Sequence, residues 1–442
     1  MAEDFAVVRG SSLFPGVSHA WRALRHRNFR LFFAGQSISL IGTWMTRTVT
    51  VWLVYRLTGS AILLGTVGFV GQIPIFLLAP FAGVWLDRSN RRHVLLMTQA
   101  LAMLQAVVLA VLTLTHRVTI HELLWLSALQ GVINALDIPV HQAFLVQLVE
   151  DKKDLGNAIA INSSMVTVAR LVGPALAGLL IGATNEGWCF LVDGVSYLAV
   201  LASLLMMRVH VAPQKRAGTS MLEQLREGWT YVSRSAPLRT ILLLFALVNL
   251  MGMPFTVLMP IFASKVLHGG PNTLGLLMGA AGVGSLVAAL SLAARRSVRG
   301  LLKMIPISAA LFGGGLIFFG LSRSLWISVV MMLLTGFGTM QGMAASNTII
   351  QTIVSEDKRG RVMSYYAIAL VGTLPFGTLL AGAMARAMGA PLTMIVNGCV
   401  VIASAVWFTT CLKGIRREIK PIYQELGIIA STEIVVTGAT GN

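Results

Sequence analysis

The sequence predicts an all-α membrane protein of twelve transmembrane helices in two pseudo-symmetric bundles of six. Three observations carry that prediction. Of 442 residues, 56% are hydrophobic and only 12% charged, against about 25% charged in a soluble domain. Such a chain cannot cover its surface in water, which excludes a soluble globular enzyme. Second, the apolar runs are long enough for a hydrocarbon core about 30 Å thick, which takes roughly 20 helical residues. Third, the net charge of +17 is dealt out segment by segment, so it reads as topology before it reads as a signal for a polyanionic partner.

In order, the first six spans fall at about 31–55, 62–86, 93–115, 122–149, 156–184 and 188–207. The second six fall at about 238–265, 273–294, 303–321, 325–353, 361–384 and 392–412. The preceding segment, 1–30, alternates charge with apolar residues and lacks the clean apolar stretch of a cleaved signal peptide. The longest polar interruption, 208–237, divides the chain into bundles at 31–207 and 238–412. Within it Leu222, Leu225, Trp229 and Val232 recur at helical spacing, which predicts an amphipathic helix lying on the inner membrane surface. Residues 413–442 are polar and mixed, and are expected to be a cytoplasmic tail.

The basic residues test both the count and the orientation. Twenty-seven of the 34 Lys and Arg fall in alternate segments, starting with the one before the first span. Five (Arg56, Arg117, Lys265, Arg323 and Arg386) fall in the intervening ones, and Arg47 and Arg170 lie inside spans. A missing span would scramble this alternation, so both termini are expected in the cytoplasm of a bacterial inner membrane. The halves also echo each other, as a duplicated unit would. Leu64-Gly65 at the start of the second span matches Leu274-Gly275 at the start of the eighth. Likewise, the Glu150-Asp151-Lys152-Lys153 loop matches Glu356-Asp357-Lys358-Arg359. Cys189, Cys399 and Cys411 lie in or beside apolar runs, without disulfide or metal spacing.

The loop after the second span reads Gly83-Val-Trp-Leu-Asp87-Arg88-Ser-Asn-Arg91-Arg92 and resembles the signature loop of the major facilitator superfamily. Glycine lets two helices approach, aspartate can face a helix N-terminus, and arginines can clamp acidic partners. The resemblance implies a gate latch of Gly83, Asp87, Arg88 and Arg91, although Arg91 and Arg92 also read as ordinary inner-loop charge. The corresponding second-half loop keeps Arg295, Arg296 and Arg299 but lacks the aspartate, so it is expected to serve orientation only. In the fourth span Gly131, Ala135, Pro139 and Ala143 make one narrow face for tight packing. The fifth holds Gly173-Pro174-Ala-Leu-Ala-Gly178, which looks like the Gly-Pro motif of superfamily members that export substrates in exchange for protons. Ala169 and Ala177 stand where that motif has glycines, and Gly and Pro are common in membrane helices generally. Together with Leu57-Thr-Gly-Ser60 and Asp137-Ile-Pro139, these motifs resemble the branch holding enterobactin-type siderophore exporters and macrolide efflux pumps, the transmembrane secretion effectors.

Charge at membrane depth costs several kcal/mol unless paired or wet, which singles out Arg47, Asp137, Arg170 and Asp193. By helical rise Asp137 and Arg170 sit roughly 22 and 21 Å from the outer ends of adjacent spans. They are therefore expected to face each other or a shared cavity, with Asp137 the proton-coupling candidate. Arg47 and Asp193, roughly 13 and 9 Å in by the same rise, are expected to form an outer-gate pair if their helices meet. Each pair reads equally as a structural ion pair fixing register.

In the superfamily's fold the first, fourth, seventh and tenth helices line the central cavity. The substrate candidates this implies are Gln36, Thr43, Trp44, Asn134, Asn249, Met253, Gln341 and Asn347, with Gln72 from the second. No phosphate-binding loop is present, and no cofactor or metal is expected. The resemblance implies a secondary active transporter that exports a bulky or amphipathic organic compound against protons, by alternating access. Its expected partners are small molecule, proton and lipid, without nucleic acid, and a monomer is expected. An importer, a lysophospholipid flippase, or a non-transporting sensor or scaffold are the alternatives.

Overall fold

The computed structural model describes residues 22–86, 89–149, 151–207, 221–295, 297–426 and 428. After a 3-10 turn at Arg22–Arg25, the first half consists of α1 (Arg27–Thr58), α2 (Ala61–Leu86), α3 (Arg91–Leu114), α4 (Ile120–Gln147), α5 (Leu155–Ala183) and α6 (Glu186–Met206). A linker helix, α7 (Met221–Arg234), follows. The second half consists of α8 (Ala236–Val266), α9 (Pro271–Ala293), α10 (Leu301–Leu321), α11 (Leu325–Ile353), α12 (Glu356–Met388) and α13 (Ala390–Glu425). No strand occurs among the described residues.

Local signals set the helix ends. The Asn90 side chain accepts from the Arg92 and His93 amides to start α3, and Asn185 does the same for α6 through Gly187 and Trp188. Thr119 and Glu122 form a capping box at α4. Gly59, at φ +59°, ends α1 in the left-handed conformation that glycine adopts without strain. α8 and α12 are interrupted by π turns at Val248–Gly252, Phe262–Val266 and Ile368–Gly372, where the hydrogen-bond ladder slips by one residue.

Among the described residues eleven helices, α2 to α6 and α8 to α13, are long and apolar enough to cross a membrane. α1 is long enough at 32 residues but carries Arg27, Arg30, Arg47 and Arg56, which dilute its apolarity below that of the others. It nevertheless packs along α5 and α6. The expected polar tail is corrected at its start: α13 continues as helix to Glu425, with Ile415 and Ile419 buried. Residues 429–442 of that tail, and 1–21 of the N-terminal segment, lie outside the described residues.

The face holding the start of α1 and the end of α13 is here the near face, and the opposite one the far face. At the far face a single hydrophobic core runs through both halves, from Val49, Leu53 and Phe190 to Phe262, Phe319 and Met394. At the near face there are two separate cores. One gathers Phe29, Phe32, Phe144 and Leu204 of the first half. The other gathers Ile241, Ile349, Phe408 and Ile415 of the second. Contact between the halves is concentrated where α5 meets α9 and where α2 meets the Leu374–Met388 part of α12. Phe376 lies edge-on to Phe69 and Phe76 in the second seam, at 6.1 and 5.9 Å between ring centroids.

Candidate functional site

Between the halves lies a cavity of about 340 Å³, within the range of small-molecule sites. It is lined by side chains of both halves, among them Trp44, Arg47, Gln130, Asn134, Arg170 and Met253. Apolar walls come from Val51, Leu64, Val67 and Phe255, and among the described residues no Asp or Glu lines it.

Its most charged part is built by α1 and α5. A Cβ on Gly173 would lie 2.6 Å from the Trp44 Cβ and 2.9 Å from the Met45 nitrogen, so only a glycine here lets α1 lie this close to α5. The approach brings Trp44 under two cations. The Arg47 Cζ stands 4.8 Å, and the Arg170 Cζ 4.9 Å, from the indole centroid. Cation–π contacts of this kind contribute about 0.5 to 2 kcal/mol each as water is excluded. The buried Nε of Arg170 has no hydrogen-bond partner. In the same motif Pro174 and Gly178 face α9: their backbones meet Gly275.

The acids stand outside the lining, which corrects the expected pairing of Asp137 with Arg170. Asp137 turns to α3, where its Oδ1 accepts from Thr98 Oγ1 at 2.7 Å and Gln99 Nε2 at 2.8 Å. The expected pairing with Arg170 therefore does not form, because Asp137 points to α3 and Arg170 to Trp44. Asp193 is 2% exposed and sits in the seam between α6 and α1, where a Cβ on Gly42 would meet its Oδ1 at 2.6 Å. The helices of the expected outer-gate pair do meet and Asp193 acts on Arg47 electrostatically across the seam, but Arg47 lines the cavity and no close ion pair joins the two. Among the described residues Arg56 forms an ion pair with Glu186 at 2.7 Å, and His26 Nε2 lies within hydrogen-bonding distance of Asp154 Oδ2 at 3.2 Å. These tie α1 to α6 at the far face and to the start of α5 at the near face.

Of the nine substrate candidates, Trp44, Gln72, Asn134 and Met253 line the cavity. The other five do not. Thr43 faces α6, with its hydroxyl 3.3 Å from that of Tyr197. Asn249 is buried and donates to the Phe245 carbonyl one turn back at 2.8 Å. Gln341 is buried against Met304, Gln36 is buried in the helix packing, and Asn347 bonds Gln351 on its own helix. Sequence reasoning missed Gln105, Ser127 and Gln130. Gln130 lies one turn before Asn134, to which it donates at 3.1 Å, so a search for polar residues four apart would have found it.

Of the gate latch, Asp87 and Arg88 lie outside the described residues, and Gly83 falls in the last turn of α2. Arg91 donates to the Ala143 carbonyl of α4 at 3.3 Å. Arg92 caps the end of α6, donating to the Leu204 and Leu205 carbonyls at 3.0 Å each, where a cation complements the helix dipole. The basic pair thus does more than set orientation. In the second half Arg299 Nε likewise donates to the Ile428 carbonyl, at 2.5 Å. The linker helix α7 docks on α12: Glu227 pairs with Arg361 at 2.6 Å, and Trp229 lies 5.9 Å from the Tyr365 ring.

A sequence model of the family described as transmembrane secretion effector matches residues 18–418. The chain is 26% identical to the staphyloferrin A transporter of Staphylococcus aureus over 88% of its length and 97% of that protein's. It is 21% identical to macrolide efflux protein A of Streptococcus pyogenes, covering 86% and 96%. Among solved structures, a bacterial homolog of the human lysosomal transporter Spinster covers 92% of this chain and 99% of its own at a TM-score of 0.67 and 16% identity. A POT family transporter in complex with 5-aminolevulinic acid covers 88% and 96% at 0.71 and 11%. With its helices, its seams and its family match in agreement, the chain is an integral membrane protein of the major facilitator superfamily and belongs to the transmembrane secretion effectors.

Proposed function

We propose that the protein is a proton-driven exporter of a bulky or amphipathic organic compound, such as a siderophore, a macrolide or another drug, working by alternating access. The observation that carries this reading is the division of the cores. One core joins the halves at the far face, while two separate cores serve them at the near face. A cavity between two bodies joined at one end opens toward the other. Rocking the bodies about the cavity would exchange the open end for the closed one.

With both termini in the cytoplasm, as the basic residues ask, this state opens inward, where an exporter loads. α1 is then the twelfth span, its Arg47 tolerated because it faces the cavity and not lipid. Residues 31–207 and 238–412 are the rocking halves of a monomer in a bacterial inner membrane, and 208–237 links them. The Gly83, Asp87, Arg88 and Arg91 loop latches the near face in the other state. Asp137 carries the coupled proton, and its pairing with α3 links its ionisation to packing inside the first half. The siderophore and macrolide transporters among the relatives support the substrate class.

Everted vesicles containing the protein test this reading. An acid-inside gradient should drive accumulation of a siderophore such as staphyloferrin A, which the relative at 26% identity transports, and a protonophore should abolish it. Accumulation indifferent to the gradient, or gradient-driven loss from the vesicles, would overturn the proposal.

A further inference from the structure

The geometry points to an oxyanion site in the central cavity, formed by Arg47 and Arg170 around Trp44, that selects amphipathic substrates bearing a carboxylate or phosphate. This inference rests on the cavity being a substrate site, as proposed above, and names the chemistry it accepts.

Both guanidiniums stand over one indole, 4.8 and 4.9 Å from its centroid. Their Cζ atoms are therefore no farther apart than the sum of those distances, a span that two acceptor groups on one ligand can bridge. Like charges this close inside a membrane protein repel each other and lose hydration, a combination expected to persist only with compensation. The protein supplies little: Asp193 acts on Arg47 from the α1–α6 seam, and among the described residues no acid acts on Arg170. The described cavity lining holds no acid, Asp137 is committed to Thr98 and Gln99, and Asp193 is enclosed between α1 and α6. The buried Arg170 Nε is left without an acceptor, although an arginine fork is built to give parallel hydrogen bonds to a carboxylate or phosphate. A bound oxyanion would supply the missing acceptors and the missing negative charge together. Trp44 holds both cations in place before the ligand arrives, and Gly173 holds Trp44. Around this charged floor, Val51, Leu64, Val67 and Phe255 offer apolar wall, so the rest of the ligand is expected to be hydrophobic.

A series of probes that differ only in charge tests the site on the full-length protein in detergent. Pyrenebutyrate, its neutral methyl ester and pyrenebutylamine share one apolar body, and their binding can be followed by pyrene fluorescence. Dodecyl phosphate, as a competitor, separates phosphate recognition from carboxylate recognition. The acid should bind about 10- to 100-fold more tightly than the ester, the range expected for charge-assisted hydrogen bonds, and the amine more weakly than either. Arg47→Gln and Arg170→Gln should each collapse the acid-to-ester ratio toward unity while leaving ester affinity within about twofold.

Should Arg170→Gln fail to give monodisperse protein, Arg47→Gln carries the test, because its side chain is exposed to the cavity. Equal binding of acid and ester by the wild type, or a ratio that survives in the folded variants, would overturn the site. The two readings fail separately. Charge-selective binding without any gradient-driven transport removes the transport proposal and leaves the site. Efflux of neutral or cationic compounds that ignores both substitutions removes the site and leaves the transporter.

Discussion

Gly178 and Gly275 meet so closely across the α5–α9 seam that a Cβ on Gly178 would lie 3.0 Å from the Cα of Gly275, and one on Gly275 2.9 Å from that of Gly178. Gly65 and Gly382 repeat the contact between α2 and α12, at 2.9 Å in each direction. The Leu64-Gly65 and Leu274-Gly275 echo in the sequence is thus a duplicated contact, in which the same position of each half packs on a glycine of the other. Backbones this close bring the halves together at the far face and leave no room for side chains between them.

Gly275→Val should therefore wedge the far face apart. The new methyls meet the Pro174 carbonyl and the Gly178 backbone, which cannot rotate away as a side chain would. Overpacking of this kind costs about 1 to 3 kcal/mol. A cysteine at Val67, now 6% exposed at the cavity wall, should react faster with an impermeant maleimide added from the far side in Gly275→Val than in the parent. Equal labelling rates would show that the seam does not close that face.

Most helices were legible in the sequence, and the pairing of charges was not. Apolar runs report length and depth, and the Gly131 face of α4 does pack tightly, since a Cβ there would lie 2.6 Å from the Gly71 carbonyl. Depth, however, is only one coordinate. A helix that is apolar on every side carries little signal for the direction in which a given residue points. So Asp137 and Arg170, expected at similar depth, face α3 and Trp44. The extension of α13 was overlooked for another reason. Its charged residues dominate the composition, while Ile415, Ile419 and Ile422 keep a helical spacing.

Gly173→Ala should disturb the cavity more than its size suggests. Its Cβ would meet the Trp44 Cβ, the Met45 nitrogen and the Ile41 carbonyl at 2.6 to 3.0 Å, so α1 must move or the helix must strain. We expect a loss of about 1 to 3 kcal/mol, read as a lower melting temperature, together with weaker binding of anionic probes. Gly156→Ala in the same helix is the control. Nothing lies within 4 Å of its Cβ, and alanine's better helix propensity should leave stability unchanged or raised by up to about 1 kcal/mol.

Asp137→Asn separates charge from packing. The asparagine oxygen can accept the same bonds from Thr98 and Gln99, so melting should stay within about 1 kcal/mol of wild type. Asp137→Leu, which strands both donors, should cost about 1 to 3 kcal/mol. If the carboxylate carries the proton, Asp137→Asn abolishes gradient-driven efflux and retains downhill exchange of substrate. Efflux in that variant with an unchanged pH dependence would leave Asp137 a structural bond to α3 and nothing more.

The last three turns of α13 are predicted to be a brace for α8. Ile415 and Ile419 are each 2% exposed and join the near-face core of the second half with Leu238 and Ile241 at the start of α8. Arg416, Arg417 and Glu418 between them are exposed, so one face is buried and the other is not. Truncating a buried isoleucine to alanine costs about 2 to 5 kcal/mol, whereas an exposed substitution stays within about 0.5 kcal/mol. Ile419→Ala should therefore lower the melting temperature of the purified protein and its accumulation in the membrane, and Arg417→Ala should change neither. The comparison is internal to one helical turn, so a shared effect on insertion cannot produce it. Equal behaviour of the two variants would return residues 413–425 to the role of a tail.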